Sequence, residues 1–112
     1  NNIATEVLKN YPNSTFESKV KVQYRNMKDV LDQHPHVSKL AIQAMENLNI
    51  PLNYTSIRGG TDGATLSHMG KPCPNLFAGE QAIHSKYEWT SVQDMQRGVD
   101  TVIEICRLVG MM

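Results

Sequence analysis

The feature that most limits what this chain can fold into is a change of hydrophobic period near residue 16. Ile3, Val7, Leu8 and Tyr11 recur at helical spacing, and Pro12 with Asn13-Ser14 closes that segment. From Phe16 the period becomes two. Phe16, Ser18, Val20, Val22 and Tyr24 fall on one face; Glu17, Lys19, Lys21, Gln23 and Arg25 fall on the other. A strand with one apolar and one charged face needs neighbours for its backbone and a cover for its apolar side. That pattern favours antiparallel pairing in a sheet with one wet face.

The rest of the chain reads as further helix and strand in alternation. Asn26 to His36 is a polar connection with room for a helical turn. Pro35 then opens a helix to about Asn49, with Val37, Leu40, Ala41, Ala44, Met45 and Leu48 on one stripe. Residues 52–57 and 74–78 read as short strands of one sheet, covered by helices over 36–49 and 91–109. Between those strands lie the one glycine cluster, Arg58-Gly59-Gly60-Thr61-Asp62-Gly63, and a short helix from Ala64 to Met69 closed by Gly70. The last helix has the fullest signals: Thr90 or Ser91 as cap, Gln93 or Asp94 to complete a capping box, and Gly110 at C′. Its apolar stripe is Val92, Met95, Val99, Val102, Ile103, Cys106 and Val109. The predicted fold class is α/β, a partial mixed sheet flanked by helices.

Composition narrows the function classes. Hydrophobic residues are 40% of the 112 and charged ones 20%, the usage of a globular domain. Eleven Lys+Arg balance eleven Asp+Glu, which argues against a nucleic-acid binder held by phosphate attraction and against a polybasic membrane-surface module. No apolar run is long enough to cross a bilayer, and the first residues have neither the basic nor the apolar region of a secretory signal. Cys73 and Cys106 fit neither a disulfide framework nor a zinc-finger spacing, so a reduced, cytoplasmic setting is expected. A start at Asn1 rather than Met is expected of a processed or excised piece.

Two segments can carry chemistry. Glycines at 59, 60 and 63 permit close backbone approach and positive φ, so the loop amides can face an anion; a plain strand-to-helix turn is the bland reading. Arg58 can clamp a carboxylate or pair in a salt bridge, and Asp62 can cap the helix that follows. His34 and His36 straddle Pro35 at a helix start, where structural or solvent-exposed roles are favoured over metal binding. His84 lies in a polar loop before the last helix, a common location for functional residues, yet one histidine cannot build a metal site. Glu80 and Glu88 flank it, either as supporting groups or without a role.

The residues that carry these patterns resemble a known family. Ile57-Arg58-Gly59-Gly60-Thr61-Asp62-Gly63-Ala64, Leu66-Ser67, Met69-Gly70 and Pro72-Cys73-Pro74-Asn75-Leu76-Phe77 with Gly79 resemble the C-terminal signature of the peptidase T family. The likeness extends upstream through Tyr24-Arg25-Asn26-Met27 and His34-Pro35-His36, and downstream through His84-Ser85-Lys86-Tyr87-Glu88. Members are cytosolic tripeptide aminopeptidases with two zinc ions, in the larger zinc exopeptidase group. The resemblance implies a C-terminal quarter only: residues 1–33 as the last helix and strand of an inserted α+β lid domain, and 34–112 as the C-terminal part of the zinc peptidase catalytic domain. By the same resemblance His84 is a zinc ligand, and Arg58, Gly59, Gly60 and Thr61 line the cleft for a small peptide substrate. The sequence departs from the family where Ser85 replaces a glycine, Tyr87 a histidine and Glu80 a second glycine. With the other ligands and the general base upstream, the piece alone is expected to be inactive, to hold no zinc of its own and to self-associate through its open edges. The reading from a different class is a non-catalytic module of the same scaffold, used for assembly or peptide binding.

Overall fold

A computed structural model describes residues 2–57 and 59–112. Among them the regular structure is helical: α1 (Asn2–Leu8), α2 (Lys28–Leu31), α3 (Pro35–Asn47), α4 (Asp62–His68) and α5 (Val92–Gly110).

Local chemistry explains where these helices start and stop. Pro35 opens α3 at its first turn, where the missing amide costs nothing. The helix closes with Asn49 at φ 54°, and the amides of Asn49 and Ile50 return to the carbonyls of Glu46 and Met45 at 3.0 and 2.9 Å. This is a Schellman closure with asparagine in the left-handed position. The same device ends α4, with Gly70 at φ 87° and the amides of Gly70 and Lys71 returning to Ser67 and Leu66. Ser91 caps α5. Its hydroxyl accepts the Asp94 amide at 3.0 Å and donates to the Asp94 carboxylate at 2.7 Å. Gly110 does not leave this helix; it is the last helical residue, with Met111 as cap.

Tertiary packing centres on α3 against α5, with α2 touching both α3 and α4. The predicted α3 stripe is the one that turns inward, and Ala44 is completely buried. For α5 the outcome differs. The covered face runs through Asp94, Gly98, Thr101, Glu104, Ile105 and Leu108, while Val92, Met95, Val99, Val102, Ile103, Cys106 and Val109 remain exposed. Small buried residues explain the choice: with Ala44 and Thr101 at the contact, the two backbones approach closely. Thr101 meets its own polar need by donating to the Arg97 carbonyl at 2.7 Å. The seam is tied by Asn47 of α3, which donates to the Glu104 carboxylate of α5 at 2.6 Å; within α5, Arg107 donates to both oxygens of that carboxylate at 2.7 Å and orients it.

The mixed sheet is not formed among the described residues. Segments 16–24, 52–57 and 74–78 are not laddered, and no backbone-to-backbone hydrogen bond among the described residues joins any of them to another segment. The antiparallel pairing in this region is a single bridge, Gln81 with Trp89. A lone strand cannot satisfy its backbone, and nothing among the described residues supplies the neighbours. The apolar face of 16–24 therefore stands in solvent, with Val20 91% exposed. The dimensions agree: the radius of gyration is 20.8 Å, against about 13 Å for a compact domain of this length. The accessible surface is 9,472 Å², against roughly 6,200 Å² for a compact monomer of this mass.

Two consequences can be measured. Hydrogen bonds from Arg107 and then Asn47 lower the Glu104 carboxyl from 4.5 to about 2. A depressed carboxyl adds stability above its unfolded-state value, and that contribution is lost as pH falls through the folded one. Glu104→Gln should lower the thermal midpoint at pH 7, and the gap from wild type should close between pH 4.5 and pH 2. Second, α4 packs its Gly63 against 73–75: a Cβ there would meet the Asn75 amide oxygen at 2.6 Å and the Cys73 carbonyl at 2.8 Å. Gly63→Ala should destabilise the chain by about 1–3 kcal/mol in urea unfolding, despite alanine's better helix propensity.

Candidate functional site

The glycine cluster leads directly into α4, and each of its described residues has a separate job. Thr61, not Asp62, is the cap of α4: its hydroxyl oxygen accepts the Ala64 amide and the Asn75 side-chain amide, both at 3.2 Å. Asp62 is the first helical residue, where its charge suits the helix dipole. Gly60 and Gly63 supply space rather than positive φ. A Cβ on Gly60 would fall within 3 Å of three atoms of the Tyr24 ring, and Gly63 is closed in by 73–75. Gly59 faces open space. Arg58, the expected carboxylate clamp, lies outside the described residues.

Long-range bonds hold this loop in place. His68 Nε2 lies 3.0 Å from the Asn26 carbonyl, joining α4 to the segment before α2. Ser67 stitches the connector behind it, accepting the Cys73 amide at 3.0 Å and donating to the Cys73 carbonyl at 3.4 Å. Neither cysteine is paired; Cys73 is half-buried and Cys106 exposed.

His84 stands on a separate turn. Gln81 and Trp89 exchange backbone bonds at 2.8 and 3.2 Å and close its base. Inside it the Ser85 amide reaches the Ala82 carbonyl, and the Glu88 amide reaches the Ser85 carbonyl, both at 3.2 Å. His84 itself has φ 64°, an unusual conformation for a side-chain-bearing residue, and its amide donates to the Glu88 carboxylate at 2.7 Å. Glu88 thus holds the backbone of His84 rather than its ring. The imidazole is exposed, and no hydrogen bond among the described residues engages its nitrogens or joins His84 to Gly59, Gly60 or Thr61. Glu80 is exposed and without a bond to this turn. The His34 and His36 rings meet edge to face, 6.0 Å apart, at the start of α3.

As a donor set for a metal, the turn offers one imidazole, a ligand type suited to zinc. Among the described residues no group of three or more His, Cys, Asp or Glu is placed to hold an ion. Of the two acids that flank His84 in the sequence, Glu88 is the one bonded to it, through the backbone amide; Tyr24 is what the sequence did not single out, and nothing in the spacing pointed to it.

No family model matches the sequence. Individual relatives do. Peptidase T of Caldanaerobacter subterraneus subsp. tengcongensis is 43% identical over 91% of this chain and 25% of its own length. Peptidase T of Brevibacillus brevis is 42% identical over 95% of the chain and 26% of the relative, and that of Shewanella pealeana is 48% identical over 81% and 22%. The chain thus spans about a quarter of the length of these relatives. Over the stretch it shares with them, the chain belongs to the peptidase T family.

Proposed function

We propose that this chain supplies the C-terminal part of a zinc-dependent aminopeptidase that removes the N-terminal residue from tripeptides in the cytoplasm. Residues 1–33 are the end of its inserted lid domain, and 34–112 the C-terminal part of its catalytic domain. The observation that carries this reading is the 42–48% identity to peptidase T proteins across most of the chain. The uncovered apolar surface supports it: segments 16–24, 52–57 and 74–78 then become strands of sheets completed by polypeptide outside this sequence, and the exposed stripe of α5 packs on such a sheet.

In this reading His84 is one zinc ligand, presented by a turn that its own backbone bonds hold rigid. When bound, zinc polarises the peptide carbonyl and acidifies a water for attack. Glu88 keeps the His84 backbone in its left-handed conformation, so the turn sets the direction in which the His84 side chain leaves it. Arg58 and the amides of Gly59, Gly60 and Thr61 hold the peptide's carbonyl or carboxylate, with Thr61 anchored by Asn75 and the start of α4.

The test is substitution in the intact enzyme. His84→Ala should reduce kcat for a tripeptide by about a hundredfold or more with the thermal midpoint little changed, because a loop ligand is lost rather than packing. Glu88→Ala should cost about tenfold and weaken zinc retention on dialysis. Unchanged turnover in His84→Ala would overturn the assignment. The 112-residue chain by itself should show no hydrolysis, and its open apolar face should make it sediment as a dimer or larger species at micromolar concentration.

A further inference from the structure

Beyond the residues that line the cleft, one aromatic side chain governs the shape of the glycine loop. A Cβ built on Gly60 falls within 3 Å of Cγ, Cδ1 and Cε1 of Tyr24, so the ring occupies the space that any other residue at 60 would need. The contact is not incidental to a floppy segment. Two residues on, the Asn26 carbonyl is engaged by His68 of α4 at 3.0 Å, and the Asn26 side chain accepts the Lys28 amide at 2.9 Å, at the entry to α2. α2 in turn touches α4. Tyr24, whose side chain is half exposed, is thus tethered on its C-terminal side through Asn26, and Gly60 on its own C-terminal side by the two bonds that Thr61 accepts. Ring and glycine meet between two anchored points.

We propose that Tyr24 is a positioning residue for the peptide-binding loop: its ring sets where the Gly59–Gly60–Thr61 backbone lies and so where those amides point. This rests on the reading of that loop as the peptide-holding segment. A flat ring suits the task, because the carbons nearest Gly60 are ring carbons, which fill space without a polar atom of their own. The glycine is then required at 60 by the ring, not by φ.

The experiment uses the intact enzyme with a tripeptide substrate and follows KM and kcat separately. Tyr24→Leu, which keeps bulk but loses the ring plane, should raise KM about tenfold with kcat within about twofold. Tyr24→Phe keeps the ring and should restore wild-type KM. Gly60→Ala should raise KM in the same way, and Tyr24→Ala in the Gly60→Ala background should recover part of that loss by freeing the space the new methyl needs. The Gly60 pair carries the test if Tyr24→Leu does not accumulate as folded protein. Thr61→Ala separates the two levels of the argument. If Thr61→Ala and Gly60→Ala raise KM while both Tyr24 variants behave as wild type, Tyr24 has no positioning role and the proposal fails. If Tyr24→Leu, Gly60→Ala and Thr61→Ala all leave KM unchanged, the loop is not the peptide-holding segment and the underlying reading fails with it.

Discussion

The contact between α3 and α5 is the interaction on which the rest of the tertiary structure depends. Ala44 and Thr101 are both fully buried, and neither is large. Burial of small residues gives little hydrophobic free energy in itself, but it lets two helices approach until the longer side chains beside them interlock. Asn47 reaching the Glu104 carboxylate adds a charge-assisted bond across the seam. The Arg107 fork on the same carboxylate keeps Glu104 ionised and oriented, at the cost of one surface arginine's freedom. The seam fixes the rotation of α5 about its axis, and that rotation decides what every other residue of the helix meets.

What it decides is unexpected from an amphipathic helix. α5 turns the face with Gly98, Thr101 and Glu104 toward α3 and leaves its valines, Ile103 and Met95 in solvent. A helix apolar on one side and closely packed on the other belongs between two layers. One layer here is α3. Among the described residues no second layer covers α5, and the strand-like segments there likewise have alternating side chains with no laddered neighbour. A sheet is a collective object, and no run of residues makes its part of one without the adjacent strands. The extended shape and the large surface follow from that requirement.

Local signals were legible because helix ends are settled by a few adjacent residues. Pro35, Ser91 with Asp94, and Gly70 each announce a boundary that needs nothing from the rest of the chain. The cap of α4 was misread by one residue, since Thr61 and Asp62 are both good caps and only the bond to Ala64 separates them. Gly110 was misread for the opposite reason: a glycine can end a helix but need not, and here the helix continues through it. The predicted strands did not form among the described residues, because period two records only a preference for a sheet and a strand needs hydrogen-bonded neighbours that these segments lack there. The glycine cluster was found, but its use was not. Positive φ and empty space demand the same residue, and only the positions of Tyr24, Cys73 and Asn75 reveal that Gly60 and Gly63 serve the second.

The two ends of the candidate site are held by different kinds of force, and this bears on how it assembles. The turn carrying His84 is closed by bonds within residues 81–89: the bridge at its base, two internal backbone bonds and the Glu88 carboxylate. Loop closure over so few residues is entropically cheap, and the left-handed backbone at His84 and Ala82 is maintained by those bonds alone. The loop at 59–61 has no such independence. Its position depends on Tyr24, which is distant in sequence, and on Asn75 beyond α4. A turn that forms locally can be in place before the rest of a domain has folded. A loop shaped by long-range contacts takes its form only once the segments around it have docked, so of the two the loop at 59–61 is the more sensitive to substitutions distant in sequence.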